Sequence, residues 1–76
     1  MILVATLTIH MNEHNDFVAV FADHEKLTTK REIFTGINSA RMWLHQLAAH
    51  EWAHKRGYRI HGEREPGQYR AWVYIT

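Results

Sequence analysis

One helix is all that this chain can build, and that limit decides more about its fold than any other feature. Ala40–Arg56 holds good helix formers and neither glycine nor proline. Asn38 or Ser39 can cap its first turn, Lys55 and Arg56 lie where the helix dipole favours cations, and Gly57 can take the left-handed conformation that closes a helix. Everywhere else the apolar pattern has the period of strands. Residues 2–11 alternate Leu3, Ala5, Leu7, Ile9 and Met11 with Val4, Thr6, Thr8 and His10. Phe17–Ala22 is apolar throughout, which predicts a strand covered on both faces, and the charged Lys30–Thr35 suits a sheet edge. Polar Asn12–Asp16 and Asp23–Thr29 connect them. Tyr58–Glu63 and Tyr69–Ile75 form a hairpin about Pro66-Gly67, with His61 opposite Trp72 and Arg59 opposite Tyr74. That register gathers Tyr58, Ile60, Ala71, Val73 and Ile75 on one face, and a slip of one residue would expose them.

The order β-β-β-α-β-β defines an α+β fold in a single domain spanning 1–76, with the helix packed on one face of a mainly antiparallel sheet. A lone helix shields one side of a sheet. The other side must be solvated, paired with a second copy, or used to bind something.

At 76 residues the chain buries roughly 60% of its unfolded surface, so its stability is modest. It has no cysteine, which excludes a disulfide framework, a thiolate zinc site and a thiol nucleophile. G-x-S-x-G and a glycine-rich phosphate loop are also absent, and Ser39 is better placed to cap the helix than to attack a substrate. Met1–Leu7 lacks the basic flank, cleavage site and length of a targeting or membrane segment, so an intracellular protein without a membrane partner is expected. Nine basic and eight acidic side chains give a net charge of +1, which is no nucleic-acid footprint in itself. Seven histidines are many for this length, and protonating all of them would raise the charge to +8.

His50-Glu51-Trp52-Ala53-His54 matches H-E-x-x-H and resembles the zincin metallopeptidase signature. On a helix, residues four apart share a face, so two imidazoles can hold Zn²⁺ while the intervening glutamate activates the bound water. The stretch His50–His61 also looks like the metzincin pattern, with Gly57 at the family's turn. Ile60, however, stands at the third ligand position, and His61 comes one residue late, which in a strand is the difference between two faces. A zinc centre of His50, His54 and His61 with Glu51 as general base is therefore the alternative reading, and only 76 residues remain to build a substrate cleft around it. The leading expectation is that no metal or other cofactor is needed. Trp43, Leu47, His50 and His54 form one stripe beside Ala40 and Leu44, so the histidines are expected at the edge of the sheet-facing side.

The outward face of the C-terminal hairpin groups Arg59, His61, Glu63, Arg70, Trp72 and Tyr74. Trp, Tyr and Arg combine large area with directional polar groups and so dominate many binding surfaces. Cross-strand packing of Trp72 on His61 and of Tyr74 on the Arg59 stem is the structural use of the same residues. Val4, Thr6, Thr8, Val18 and Val20 are expected to extend this face, giving a platform for a two-fold homodimer or a larger partner. Nucleic acid is the rival ligand, because rings on a sheet can stack unpaired bases. Lys55, Arg56, Arg59, Arg64 and Arg70 would then form the basic cluster.

In size and element order the chain resembles the small accessory proteins of bacteriophages and mobile elements, including anti-CRISPR proteins and inhibitors of host RNA polymerase. The resemblance covers the whole chain and is architectural, with no diagnostic motif. It implies a non-enzymatic inhibitor or regulator in the bacterial cytoplasm, acting stoichiometrically on a larger protein or ribonucleoprotein machine. The residues expected to meet that partner are Arg59, His61, Arg70, Trp72 and Tyr74, with Trp52 on the other side of the helix.

Overall fold

The computed structural model describes residues 1–76 as five strands and one helix: β1 (Ile2–Met11), β2 (Phe17–Asp23), β3 (Thr28–Phe34), α1 (Ile37–Trp52), β4 (Arg59–Glu65) and β5 (Gln68–Ile75). The strands make one open sheet in the order β3-β2-β1-β5-β4, with every neighbouring pair antiparallel. β1 is central and pairs with both β2 and β5, so the first and last strands lock the two hairpins together. β3 is one edge, as its charges predict, and β4 is the other.

The helix lies over β1, β2 and β3 and reaches β5, while its backbone does not approach that of β4. Ala40, Leu44, Ala48 and Trp52 point into the sheet at four-residue spacing and are buried. Opposite them lie Ala5, Leu7 and Ile9 of β1, Ala19 and Phe21 of β2, and Tyr69, Ala71, Val73 and Ile75 of β5. The small alanines on both layers let the helix approach the sheet, while Trp52 fills its far end. Tyr58 and Ile60 pack against this core, as the hairpin register requires.

Four expectations are corrected. The helix starts at Ile37 with extended Gly36 as N-cap, so Asn38 and Ser39 sit inside the first turn and cap nothing. Ile37 packs on the core, which draws the first turn three residues toward the N-terminus. The helix ends at Trp52, because His54, Lys55 and Arg56 offer no apolar group to hold another turn on the sheet. Gly57, at φ +74, instead serves the turn beyond, where a side chain would collide with Thr76 and where the Thr76 amide donates to the Arg56 carbonyl at 2.8 Å. Val4 is buried in the core and not on the outward face, because a bulge between Leu3 and Ala5 inserts one extra residue and turns Val4 toward the helix. β2 is shielded by the helix on one face alone, and Val20 and Ala22 on its other face stay half-buried.

Candidate functional site: the uncovered sheet face

Alternation along each strand places a second set of side chains on the face without a helix. The register aligns Arg31, Val20, Thr8, Arg70 and Glu63 in one row across the five strands. The next row carries Thr29, Ala22, Thr6, Trp72 and His61. Leu3, Tyr74 and Arg59 close one end, and Ile33, Val18 and His10 the other. The middle is therefore aromatic, β-branched and small, and three guanidiniums stand around it.

His61 and Trp72 are directly opposed, as the hairpin sequence predicts, and their rings stack with centroids 6.0 Å apart and planes at 26°. Trp72 and Tyr74 remain half-exposed, while Ala71 and Val73 between and beside them are fully buried on the other face. Arg59 donates from Nη2 to the Met1 sulfur at 2.8 Å, which anchors its stem beside Tyr74. The His24 ring, from the β2–β3 turn, shares a 2.7 Å hydrogen bond between its Nε2 and Thr6 Oγ1. The one lysine or arginine ion pair of the molecule is Lys26–Glu51, so Arg31, Arg59 and Arg70 have no carboxylate bound to them. Even Glu63, opposite Arg70 in register, makes no ion pair with it. At the hairpin end, Thr8, His10, Glu63, Glu65, Gln68 and Arg70 line an open polar hollow of about 300 Å³.

Trp52 takes no part in this face. It is 2% exposed, stacks on Phe21 at 5.9 Å, and donates from its indole nitrogen to Glu25 Oε1 at 2.7 Å. The four-residue series Ala40, Leu44, Ala48, Trp52 carries the signal for that burial. The basic cluster expected around the helix end is split by strand parity: Arg59 and Arg70 face outward, Arg64 faces the helix side, and Lys55 and Arg56 lie in the turn after the helix. Arg31, His24 and His10 are among the members of the outward face that the sequence did not single out. Arg31 was legible, since the hairpin register from Asp23–Thr28 fixes it opposite Val20.

The zinc-type motif does not assemble. His50 and His54 are exposed, His54 lies past the helix end, and His61 belongs to the uncovered sheet face. No three His, Cys, Asp or Glu side chains converge anywhere in the chain. Glu51 accepts from Lys26 Nζ at 3.1 Å, which holds the β2–β3 turn to the helix.

No helix is long and apolar enough to cross a membrane. Comparison with protein-family models, curated proteins and solved structures gives no match.

Proposed function

We propose that this chain is a non-enzymatic, protein-binding regulator that acts by covering a surface of a larger host macromolecular machine, one copy per site, in the manner of the phage accessory proteins it resembles. Arg59, His61, Arg70, Trp72 and Tyr74 meet the partner, with Arg31 at the far margin. The observation that carries this reading is the pair of half-exposed rings, Trp72 and Tyr74, on a sheet face that no helix covers and whose guanidiniums lack carboxylate partners.

The chemistry of the face selects the partner's chemistry. An apolar centre needs an apolar counterpart, and three arginines against the two glutamates of that face, Glu63 and Glu65, leave a positive excess that calls for an acidic margin. The two longer extents of the molecule, 39 and 22 Å, fit a face of the size that specific complexes bury, about 800 Å² per partner. The division of the basic residues between two faces disfavours nucleic acid, which needs its cations along one track.

The test is capture of binding proteins from a bacterial lysate, followed by titration of the purified partner with wild type and Trp72→Ala. Losing the central ring should weaken binding by about 30-fold or more, about 2 kcal/mol, with the far-ultraviolet dichroism unchanged. Equal affinity of the two proteins overturns the assignment. So does binding that attaches to nucleic acid instead, recognised by a log-affinity slope of about −0.7 to −0.9 per phosphate against log salt.

A further inference from the structure

On the covered side, the helix stops short of β4 and leaves a shelf beside it. Three elements place polar side chains there. Arg41 and His45, one turn apart on α1, project toward β5. Tyr69 comes from β5, and Arg64 lies directly opposite it on β4. His45 Nε2 and the Tyr69 hydroxyl are 2.7 Å apart, and the Arg41 guanidinium carbon is 5.7 Å from the centroid of the Tyr69 ring. Gly62 holds the arrangement open: a Cβ there would stand 2.6 Å from the Tyr69 hydroxyl, so the ring can lie over β4 only because this residue has no side chain.

The shelf has no negative charge of its own. Glu63 and Glu65 flank Arg64 in sequence and therefore point to the opposite face. Glu51, the only acidic residue of α1, is engaged by Lys26. Neither Arg41 nor Arg64 has an ion-pair partner. Two guanidiniums thus flank a hydrogen-bonded histidine–tyrosine pair with nothing to neutralise them.

We propose that Arg41, Arg64, His45 and Tyr69 form a binding site for a phosphate-type dianion. Two guanidiniums balance two negative charges, and each offers the planar fork that matches phosphoryl oxygens. One stands on the helix and one on the edge strand, so a tetrahedral group can accept from both sides at once, whereas a flat carboxylate presents its two oxygens in one plane. The Tyr69 hydroxyl and the His45 ring add donors between them. Burial first, and then Arg41 and Arg64, hold the His45 pKa below 6.5, so the ring is neutral near pH 7. An arriving dianion offsets that repulsion. Binding therefore takes up a proton, and by linkage the anion raises the His45 pKa.

The experiment is an NMR titration of the intact chain with inorganic phosphate, at constant ionic strength set by chloride. Saturable shifts should centre on His45, Arg41, Arg64 and Tyr69, and the His45 titration midpoint should move upward with phosphate. Arg64→Gln, on an exposed residue that folding does not need, should weaken binding about tenfold, and Arg41→Gln similarly. Arg41→Lys, which keeps the charge but loses the fork, should fall between. Lys55→Gln, in the turn past the helix, should bind as wild type does. A parallel titration with adenosine monophosphate distinguishes the source of the phosphate: equal affinity means the free anion suffices, and tighter binding means a nucleotide. Shifts that do not saturate, that spread equally to Arg59 and Arg70, or that survive unchanged in Arg64→Gln overturn the site. The shelf and the uncovered face lie on opposite sides of the sheet, so either proposal can fail without the other.

Discussion

β5 serves two masters with one run of eight residues. Tyr69, Ala71, Val73 and Ile75 face the helix and are between 0 and 9% exposed; alternating with them on the other face, Arg70 is exposed and Trp72 and Tyr74 are half-buried. The difference teaches that core packing and a free polar and aromatic surface need not compete for the same parity of a strand when a sheet is covered on one side. One parity of the strand supplies burial, at roughly 25 cal/mol per Å² of apolar area, while the other is free to carry rings and guanidiniums that contribute little to folding.

Trp52 and Trp72 put the widest separation on that contrast. Trp52 is enclosed between helix and sheet with its indole nitrogen bonded to Glu25. Trp52→Ala should cost about 3–5 kcal/mol in denaturant unfolding, enough to leave a chain this short largely unfolded. Trp52→Phe, which keeps a ring against Phe21 but loses the hydrogen bond, should cost about 1–2 kcal/mol and stay folded. A loss from Trp52→Ala as small as a surface substitution would mean that the helix does not shield the sheet as described.

Gly62 sharpens the comparison from the edge strand. Gly62→Ala forces the Tyr69 ring away from β4, at a cost of about 1–3 kcal/mol, and breaks the bond to His45. The uncovered face should survive it, because His61 and Trp72 stack on the other side of the same hairpin. Unchanged stability in this variant would show that the ring has room to move and that the shelf is not tightly built.

Much of this division could be read from alternation alone. The hairpin about Pro66-Gly67 had one register that kept Ala71, Val73 and Ile75 together, and that register is the one observed, with Gly67 at φ +72 in the turn. The strand count, the element order and the single covered face follow from the same period-two pattern. Three features were out of reach for physical reasons. The bulge at Leu3–Ala5 reverses the parity of Val4, and a bulge without a glycine leaves no mark in composition. The helix ends depend on where Ile37 and Trp52 find the core, which is tertiary information. The basic residues look clustered along the chain, but strand alternation deals Arg64 to one side and Arg59 and Arg70 to the other. The histidine pair of the zinc-type motif misled for a related reason: spacing puts two residues on one helical face only while the helix lasts, and this one stops two residues before His54.

On the uncovered face the expected effect on folding is small. Trp72→Ala removes cross-strand stacking on His61 and should cost about 0.2–1 kcal/mol in denaturant unfolding. A loss comparable to that of Trp52→Ala would erase the distinction between the two faces and make Trp72 a core residue.

The gentlest probe of the covered side is pH. Burial, reinforced by Arg41 and Arg64, lowers the His45 pKa below 6.5, so between that value and the folded-state pKa the unfolded chain holds more protons than the folded one. Stability must then fall as pH drops below about 6.5, and level off once the folded state also binds the proton. Burial raises the Tyr69 and Tyr58 pKa values above 10, with the opposite sign: the folded chain keeps protons that the unfolded chain releases, so stability falls again as pH climbs past about 10. Urea unfolding from pH 5 to 11 should trace a plateau with both shoulders. Tyr69→Phe should diminish the alkaline shoulder while Tyr58 retains part of it, and His45→Gln should diminish the acid one. Trp72→Ala should leave both shoulders in place, because none of the groups that produce them lies on its side of the sheet. An acid shoulder undiminished in His45→Gln would place its origin elsewhere and remove this half-buried histidine from the covered side's account.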